Sequence, residues 1–275
     1  MEFDPPQLPY DLSDHVAIIT GANHGIGAAT ARMLAACGAS VLLTYYRTSD
    51  PEGFPEPYRT NRSKTADHVV DSIRANGGQA ISFEADLRDP SFVPHLFDMA
   101  ESEFSEVDIL VNNATGWVAD TFLPQSAHIT GLTSEPLSPS THDQVFQVDA
   151  RAASLLIAEF ARRHIDRGAE WGRIIGLTSG GSLGFPTEIS YGAAKAALEN
   201  YTMSAAFELA DYGITSNIVY PPVTDTGWVT DSVRENVDNS DELLHIVQPE
   251  DVAEIIVFLS SDYARLITAN KIHLR

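Results

Sequence analysis

The sequence predicts an α/β fold, organised as a single-domain, doubly wound parallel sheet. Short β-branched runs alternate along the chain with amphipathic helical patterns, which is the order of a parallel sheet covered by helices on both faces. A glycine-rich turn joins the first run to the first helix, as in nucleotide-binding folds of this class. The 275 residues, 44% of them hydrophobic, suffice for one large core without a second domain.

The chain opens with a predicted N-terminal arm, residues 1–14, which is acidic and rich in proline. It shows neither the basic region nor the apolar region of a signal peptide, so we expect a cytoplasmic protein. The predicted domain follows from residue 15 to 275. Its first strand is the run HVAIIT, residues 15–20, whose composition is that of a buried strand.

The turn after this strand has the spacing Gly-x-x-x-Gly-x-Gly, and a helical pattern follows it as far as Gly38. A strand, a glycine-rich turn and a helix in this order present backbone N–H groups and a helix N-terminus to an anion. Glycines with a purely structural role remain an alternative, but the context favours phosphate binding. The predicted binding residues of this turn are Gly21, Asn23, His24, Gly25, Ile26 and Gly27.

The end of the second strand bears on the choice of cofactor. It reads Tyr45-Tyr46-Arg47, without the acid that would bind the ribose 2′-hydroxyl of NAD. Arg47 and His24 are cations that would instead accommodate a 2′-phosphate, so NADP(H) is favoured over NAD(H). The alternative is that Arg47 is merely a solvated loop residue.

The middle of the chain continues the alternation. Residues 48–63 are predicted to be a long polar loop, followed by the amphipathic helix KTADHVVDSIRAN. A third strand exits at Asp86, which could bond an adenine amino group or cap a turn. Asp89 and Pro90 predict the N-cap and the first residue of the next helix. The fourth strand, DILVNNA, ends on two asparagines.

The second half is predicted to begin with an irregular loop, residues 115–141, and one long helix from about 142 to 166. The strand GRIIGLTS then leads to a helix that starts near Tyr191. After a sixth strand, ITSNIVY, residues 223–248 contain an acidic, polar stretch that suits a mobile flap over a site. Pro249 opens the last helix, and KIHL makes the last strand.

Ser179, Tyr191 and Lys195 form a candidate proton-transfer site. In a helix, Lys195 lies one turn after Tyr191 on the same face, where its ammonium would lower the pKa of the phenol. A Ser179 hydroxyl from the preceding loop could donate to a carbonyl or alkoxide oxygen. Taken alone, however, a Tyr-x-x-x-Lys pair is more typical of a solvated helix face.

The net charge of the chain argues against some classes of binding partner. The formal net charge is −21, from 38 acidic and 17 basic residues, which disfavours nucleic acid and anionic membranes. A strongly solvated surface is the favoured explanation, and adaptation to high salt is the alternative. The nine histidines show no metal-ligand spacing, so no metal is expected, and the single cysteine, Cys37, cannot form an intrachain disulfide.

These motifs, taken in order, resemble the short-chain dehydrogenase/reductase family, and in particular its members similar to 3-oxoacyl-carrier-protein reductases. The resemblance covers residues from about 15 to 274. The motifs that carry it are Thr20-Gly21-x-x-x-Gly25-Ile26-Gly27, Asp86, Asn112-Asn113-Ala114, Ser179 and Tyr191-x-x-x-Lys195.

The resemblance implies a Rossmann-type fold and hydride transfer between NADP(H) and a small ketone or secondary alcohol. It implies that Tyr191 is the general acid or base, that Lys195 lowers its pKa and holds the nicotinamide ribose, and that Ser179 positions the substrate oxygen. A homo-oligomer, tetramer or dimer, is also implied. The further cofactor-binding residues that it implies are Asp86, Leu87, Asn113, Ala114, Pro221, Val223 and Thr224.

The chain departs from the family's pattern at a few positions. Asp149 stands at the place of a catalytic asparagine, where its charge would pair with Lys195, while Thr115 and Pro222 each replace a usual glycine. These departures motivate a second hypothesis, a catalytically weak or inactive protein that binds NADP(H) as a sensor or scaffold. Phe185, Leu183 and Trp228 are further residues that could contact a substrate.

Overall fold

Seven parallel strands form the central sheet of the computed structural model, which describes residues 8–48, 54–128, 132–179, 184–240 and 243–275. The order across this sheet is β3-β2-β1-β4-β8-β9-β12, and every neighbouring pair is parallel. In chain order the strands are β1 (Val16–Thr20), β2 (Ser40–Tyr45), β3 (Gln79–Glu84), β4 (Val107–Asn112), β5 (Asp120–Thr121), β6 (Ser126–Ala127), β7 (Thr133–Pro136), β8 (Gly172–Leu177), β9 (Ile214–Tyr220), β10 (Val223–Thr224), β11 (Ile246–Val247) and β12 (Lys271–His273).

Helices cover both faces of the sheet. They are α1 (Gly25–Ala36), α2 (Glu56–Ser63), α3 (Asp67–Ala75), α4 (Phe92–Glu103), α5 (Pro139–Val145), a π-helix (Phe146–Ala152), α6 (Ala153–Asp166), α7 (Ile189–Glu208), α8 (Asp231–Asp238) and α9 (Pro249–Leu259).

Two hydrophobic layers hold the helices on the sheet. Ala17 and Ile19 of β1 pack in the layer with α1, α3 and α9, whereas Val16 and Ile18 pack in the layer with α4, α6 and α7. Successive side chains of a strand point to opposite faces, so a strand that is buried on both faces is apolar at most positions. The predicted doubly wound, Rossmann-type fold is confirmed.

Some local predictions differ from the structure. The predicted loop 48–63 contains α2, and the predicted loop 115–141 contains a three-stranded sheet of β5, β6 and β7. Helix α4 begins after Ser91, because the Asp89 carboxylate accepts the Ser91 N–H at 2.9 Å and so caps a turn before the helix. The long helix predicted from 142 to 166 begins earlier, at Pro139, and is interrupted by the π-helix.

The predicted flap, residues 223–248, contains α8 and the two-stranded sheet of β10 and β11. Residues 1–7 of the predicted arm and Leu183 lie outside the described residues. Within the described ranges, no helix combines the length and the apolar stretch that crossing a membrane requires.

Candidate active site

The glycine turn between β1 and α1 is closely packed against the end of β4. A Cβ atom added at Gly27 would lie 2.5 Å from the Gly21 carbonyl oxygen, and one added at Gly21 would lie 2.8 Å from the Ala114 Cα. Gly21 and Gly25 also have positive φ angles, 66° and 56°, which favour glycine. The first turn of α1 carries no acidic residue, so its N–H groups fit an anion such as a pyrophosphate.

Asn113 and Thr20 tie the end of β4 to this turn. The Asn113 side-chain amide donates to the carbonyls of Thr20 and Gly21 at 2.8 and 3.0 Å. The Thr20 hydroxyl accepts the backbone N–H groups of Asn113 and Ala114 at 3.0 and 2.9 Å. The Asn113 side chain therefore holds the backbone of the glycine turn, which is part of the predicted cofactor site.

The charged groups predicted at the cofactor's adenosine end are paired with neighbours. Arg47 forms a bidentate contact with Glu84, with Nε 3.0 Å from both carboxylate oxygens. Asp86 holds Arg88 in the same manner, with Arg88 Nη2 2.6 Å from Oδ2. Leu87, between them, is buried in the layer beside α4.

Helix α2 packs over the glycine turn. The Asn23 side-chain amide donates to the carbonyls of Lys64 and Asn61 at 3.0 and 3.4 Å. Asn61 in turn donates to the Thr226 carbonyl at 3.4 Å, which links α2 to the loop after β9. Thus Asn23, predicted to bind the cofactor, uses its side chain to position α2.

Basic residues from the end of α2 and from α3 lie near His24. Burial lowers the pKa of His24 to about 4, and the charges of Arg62, His68 and Lys64 lower it further. The buried His24 Nδ1 has no hydrogen-bond partner among the described residues. His24 is therefore neutral near pH 7 at a place where the surrounding charge is positive.

Tyr191 and Lys195 lie on the same face of α7, with the Lys195 Nζ 5.5 Å from the centre of the Tyr191 ring. Ser179, two residues after β8, is close enough to the Tyr191 hydroxyl to act on its pKa. The structure therefore brings together the three residues that the sequence predicted as a proton-transfer site.

The pKa of Tyr191 differs from the sequence-based expectation. It lies well above its ordinary value, because of burial first, then the charge of Asp149 and that of Glu188, while the Ser179 hydrogen bond opposes the rise. Lys195 was expected to lower this pKa. Its ammonium is 3.0 Å from the Asp149 Oδ1, so an opposite charge offsets its effect on the phenol.

Asp149 is held in place by the π-helix. The Asp149 side chain is fully buried, and that of Lys195 is 3% exposed. The Asp149 Oδ2 accepts the Gly116 N–H at 2.7 Å. A π-helix inserts an extra residue into a helical turn and is frequent at functional sites. Asp149 therefore links the loop after β4 to Lys195.

Glu188 is a second buried carboxylate near Tyr191, which lies three residues after it. Its Oε1 accepts the Trp117 indole N–H at 2.9 Å and lies 2.6 Å from the His128 Nε2. Both Glu188 and His128 are buried. Sequence reasoning missed this pair, because neither residue belongs to a recognisable motif.

The residues predicted after β9 close the site from the other side. The Thr224 hydroxyl donates to the Pro222 carbonyl at 2.9 Å, and the Thr224 carbonyl accepts the Trp228 indole N–H at 2.9 Å. Thr226 lies against the glycine turn, since a Cβ atom at Gly25 would be 2.7 Å from its methyl carbon. Pro221 and Val223 flank Pro222 in this loop and are half-buried.

Sequence reasoning also missed α2. The signals present were Glu56 in its first turn, Pro57 near its start and Arg62 in its last turn, which are ordinary helix boundary signals.

Across the part of the chain that the structure describes, His, Cys, Asp and Glu side chains form no group of three that could hold a metal.

The chain is similar to known reductases over most of its length. A family model described as enoyl-(acyl carrier protein) reductase matches residues 21–274. A 3-oxoacyl-[acyl-carrier-protein] reductase of Synechocystis sp. is 34% identical over 260 residues, covering 92% of this chain and 92% of the relative. Versicolorin reductase stcU of Emericella nidulans is 33% identical over 277 residues, covering 94% and 93%. The crystal structure of the angucycline C-6 ketoreductase LanV with bound NADP is 29% identical, with a TM-score of 0.77, and the match covers 96% of this chain and 95% of LanV.

Proposed function

We propose that the chain reduces a ketone with NADPH. The premise is that it belongs to the short-chain dehydrogenase/reductase family and is an oxidoreductase acting on CH–OH and C=O groups. The observation that carries the proposal is the convergence of Ser179, Tyr191 and Lys195 at the carboxyl end of the sheet. Open parallel sheets bind their ligands at this end.

In this proposal Tyr191 is the general acid. Bound NADPH supplies the hydride, and the Tyr191 hydroxyl gives its proton to the developing alkoxide while the Ser179 hydroxyl positions that oxygen. An alkoxide is a much stronger base than a phenolate, so the transfer is downhill. With a pKa above its ordinary value, Tyr191 is protonated at neutral pH, and this is the form that acts as the acid in reduction.

The residues that would hold the cofactor are the glycine turn, the residues after β4 and those after β9. The backbone of the turn would bind the pyrophosphate, and Lys195 would contact the nicotinamide ribose. The steric closeness of Gly21, Gly27 and Ala114 supports this assignment, because a side chain at either glycine would disturb the turn.

We further propose a preference for NADP(H), supported by the cations near His24. Arg47 is paired with Glu84, so a 2′-phosphate would have to compete with a carboxylate for it. Arg62 and Lys64 are brought to the glycine turn by α2 and are close enough to act on the pKa of His24. In a chain of net charge −21, this local excess of cations is suited to a phosphate.

We expect the double variant Arg62→Gln, Lys64→Gln to weaken NADPH binding by about tenfold or more, since a charge-assisted hydrogen bond to phosphate contributes roughly 1.5–3 kcal/mol. NADH binding should change little, because NADH lacks the 2′-phosphate. Calorimetric titration with NADPH and with NADH measures the affinity for each nucleotide, and Arg47→Gln is the comparison variant. Equal weakening of both nucleotides would contradict the assignment of these two cations to the 2′-phosphate.

The reductase proposal is tested with a panel of aliphatic, alicyclic and aromatic ketones, assayed with NADPH and separately with NADH. Consumption of NADPH that depends on the ketone supports it. Tight NADPH binding without turnover of any ketone would favour the sensor or scaffold hypothesis instead.

We also propose a cytoplasmic homo-oligomer, tetramer or dimer. Phe207 of α7 is 76% exposed and Leu155 of α6 is 37% exposed, and exposed apolar residues on long helices suit subunit contacts. The one cysteine of the sequence, Cys37, is a free buried thiol, which suits a reducing compartment. Light scattering of the purified protein measures the assembly directly.

A further inference from the structure

Aromatic side chains from three separate segments lie near Tyr191: Phe54, Tyr58 and Trp117 contact one another in a chain, and Phe185 contacts Tyr191 itself. Phe54 lies 5.5 Å from both Trp117 and Tyr58, measured between ring centres, and its ring is edge-on to the indole of Trp117 at 72°. Phe185, from the segment before α7, lies 5.9 Å from the ring of Tyr191. Each of these rings is half-buried. The four residues Phe54, Tyr58, Trp117 and Phe185 are called the aromatic group below.

The aromatic group is connected to the reacting end of the site. Trp117 donates its indole N–H to Glu188, which lies one helical turn before Tyr191. Tyr58 and Glu188 are both close enough to act electrostatically on the Tyr191 phenol. Phe185 therefore lies beside the phenol that would give its proton to a carbonyl oxygen, and Tyr58 and Trp117 lie near it.

The aromatic group is not an extension of the core. As far as the described residues show, the two hydrophobic layers that cover the sheet contain none of its members. Its rings come from the α2 segment, from the loop after β4 and from the segment before α7. Half-buried rings on several segments around a catalytic group are typical of a substrate pocket.

The orientation of Trp117 is fixed by buried polar groups. The Glu188 Oε1 accepts its indole N–H and lies 2.6 Å from the Nε2 of the buried His128, so Trp117 and His128 contact the same carboxylate oxygen. Such an arrangement holds a large ring in one orientation before a ligand binds, which reduces the entropy lost on binding.

The charges around Tyr191 do not favour an anion. The Lys195 ammonium is paired with Asp149 at 3.0 Å, and Glu188 is a further buried carboxylate close to the phenol, in a chain that is strongly acidic. A substrate that carries a carboxylate or phosphate beside its carbonyl group would meet like charge in a place of low dielectric. A neutral substrate meets no such penalty.

We propose that the substrate is a neutral, planar aromatic ketone, whose ring system contacts Trp117, Phe54 and Phe185 while its carbonyl oxygen reaches Tyr191 and Ser179. This proposal rests on the proposed reductase function and names the substrate class of that site. The two electrons arrive as hydride from NADPH and the second hydrogen arrives as the Tyr191 proton. The products are the secondary alcohol and NADP⁺.

The test compares 2-tetralone with 2-decalone, its saturated counterpart. Both carry the carbonyl on a cyclohexanone-type ring, so their intrinsic reactivities are similar, and they differ mainly in the aromatic ring. We expect kcat/KM with NADPH to be about tenfold higher for 2-tetralone. Trp117→Leu should abolish this preference, and Trp117→Phe, the matched variant, should retain most of it.

Equal kcat/KM values for the two ketones would overturn the aromatic proposal while leaving the reductase function in place. Reduction of neither ketone would count against the reductase function. In that case calorimetry of each ketone with the protein saturated in NADP⁺ decides the ligand class. Binding of 2-tetralone at least tenfold tighter than that of 2-decalone supports the proposal, and equal or undetectable binding overturns it.

Discussion

Replacing Tyr191 with phenylalanine is expected to lower kcat for ketone reduction by about a thousandfold, within the range that a positioned general acid contributes. The substitution removes the hydroxyl and keeps the ring that packs beside Phe185. NADPH affinity should stay nearly unchanged, because the glycine turn, the residues after β4 and Lys195 remain in place. Single-turnover kinetics at saturating NADPH, with binding measured separately, provide both numbers.

The matched control is Tyr201→Phe, on the same helix. Tyr201 is 47% exposed and lies ten residues after Tyr191, so its hydroxyl has no part in the proposed chemistry. Its kcat should equal that of the wild type. Turnover by Tyr191→Phe at the wild-type rate would show that another group supplies the proton, and the proposed mechanism would be wrong.

The inner strands of the central sheet could be predicted because they are buried on both faces, whereas the edge strands β3 and β12 are only partly buried. The run HVAIIT predicted a strand over residues 15–20, and β1 covers Val16–Thr20. Such runs are apolar at most positions, and the glycine turn that follows is recognisable by its spacing. Local composition therefore carries most of the information about this part of the fold.

Helix α2 could not be predicted by the same reasoning. None of its eight residues is buried and the segment is strongly polar, so it has no apolar face of the kind that predicts a helix packed on a sheet. Its position depends on contacts with residues far away in the sequence, such as the hydrogen bonds from Asn23 and to Thr226. Tertiary contacts of this kind leave no local pattern.

The site residues that belong to a sequence motif could be predicted, whereas contacts between residues far apart in the sequence could not. Tyr191 and Lys195 are four residues apart on one helix, so their proximity follows from helix geometry. The contact of Glu188 with His128 joins residues 60 positions apart in the chain. The raised pKa of Tyr191 likewise depends on burial and on Asp149, and neither the burial nor the exact placement of the carboxylate can be read from the Tyr-x-x-x-Lys spacing.

Substitution of Asp149 by alanine is expected to lower the free energy of unfolding by roughly 3–5 kcal/mol, the usual cost of removing one partner of a buried ion pair. It leaves the Lys195 ammonium buried without its carboxylate and the Gly116 N–H without its acceptor. Asp149→Asn should be less damaging, because its amide oxygen still offers one acceptor. Urea unfolding of both variants measures the difference.

The same residue should set the pH dependence of reduction. Tyr191 must be protonated to act as an acid, so the reduction rate falls as the pH rises through its pKa. Burial is the largest cause of the raised pKa and Asp149 is the next, so Asp149→Asn should lower this pKa and move the alkaline fall in kcat to lower pH. The control is Asp166→Asn on α6, which removes an equal charge from a side chain that is 65% exposed. An alkaline limb that stays in place in Asp149→Asn, or moves upward, would show that Asp149 does not tune the phenol. A downward movement that Asp166→Asn does not reproduce would show that the π-helix places the Asp149 carboxylate where it raises the pKa of Tyr191 and so keeps the phenol protonated.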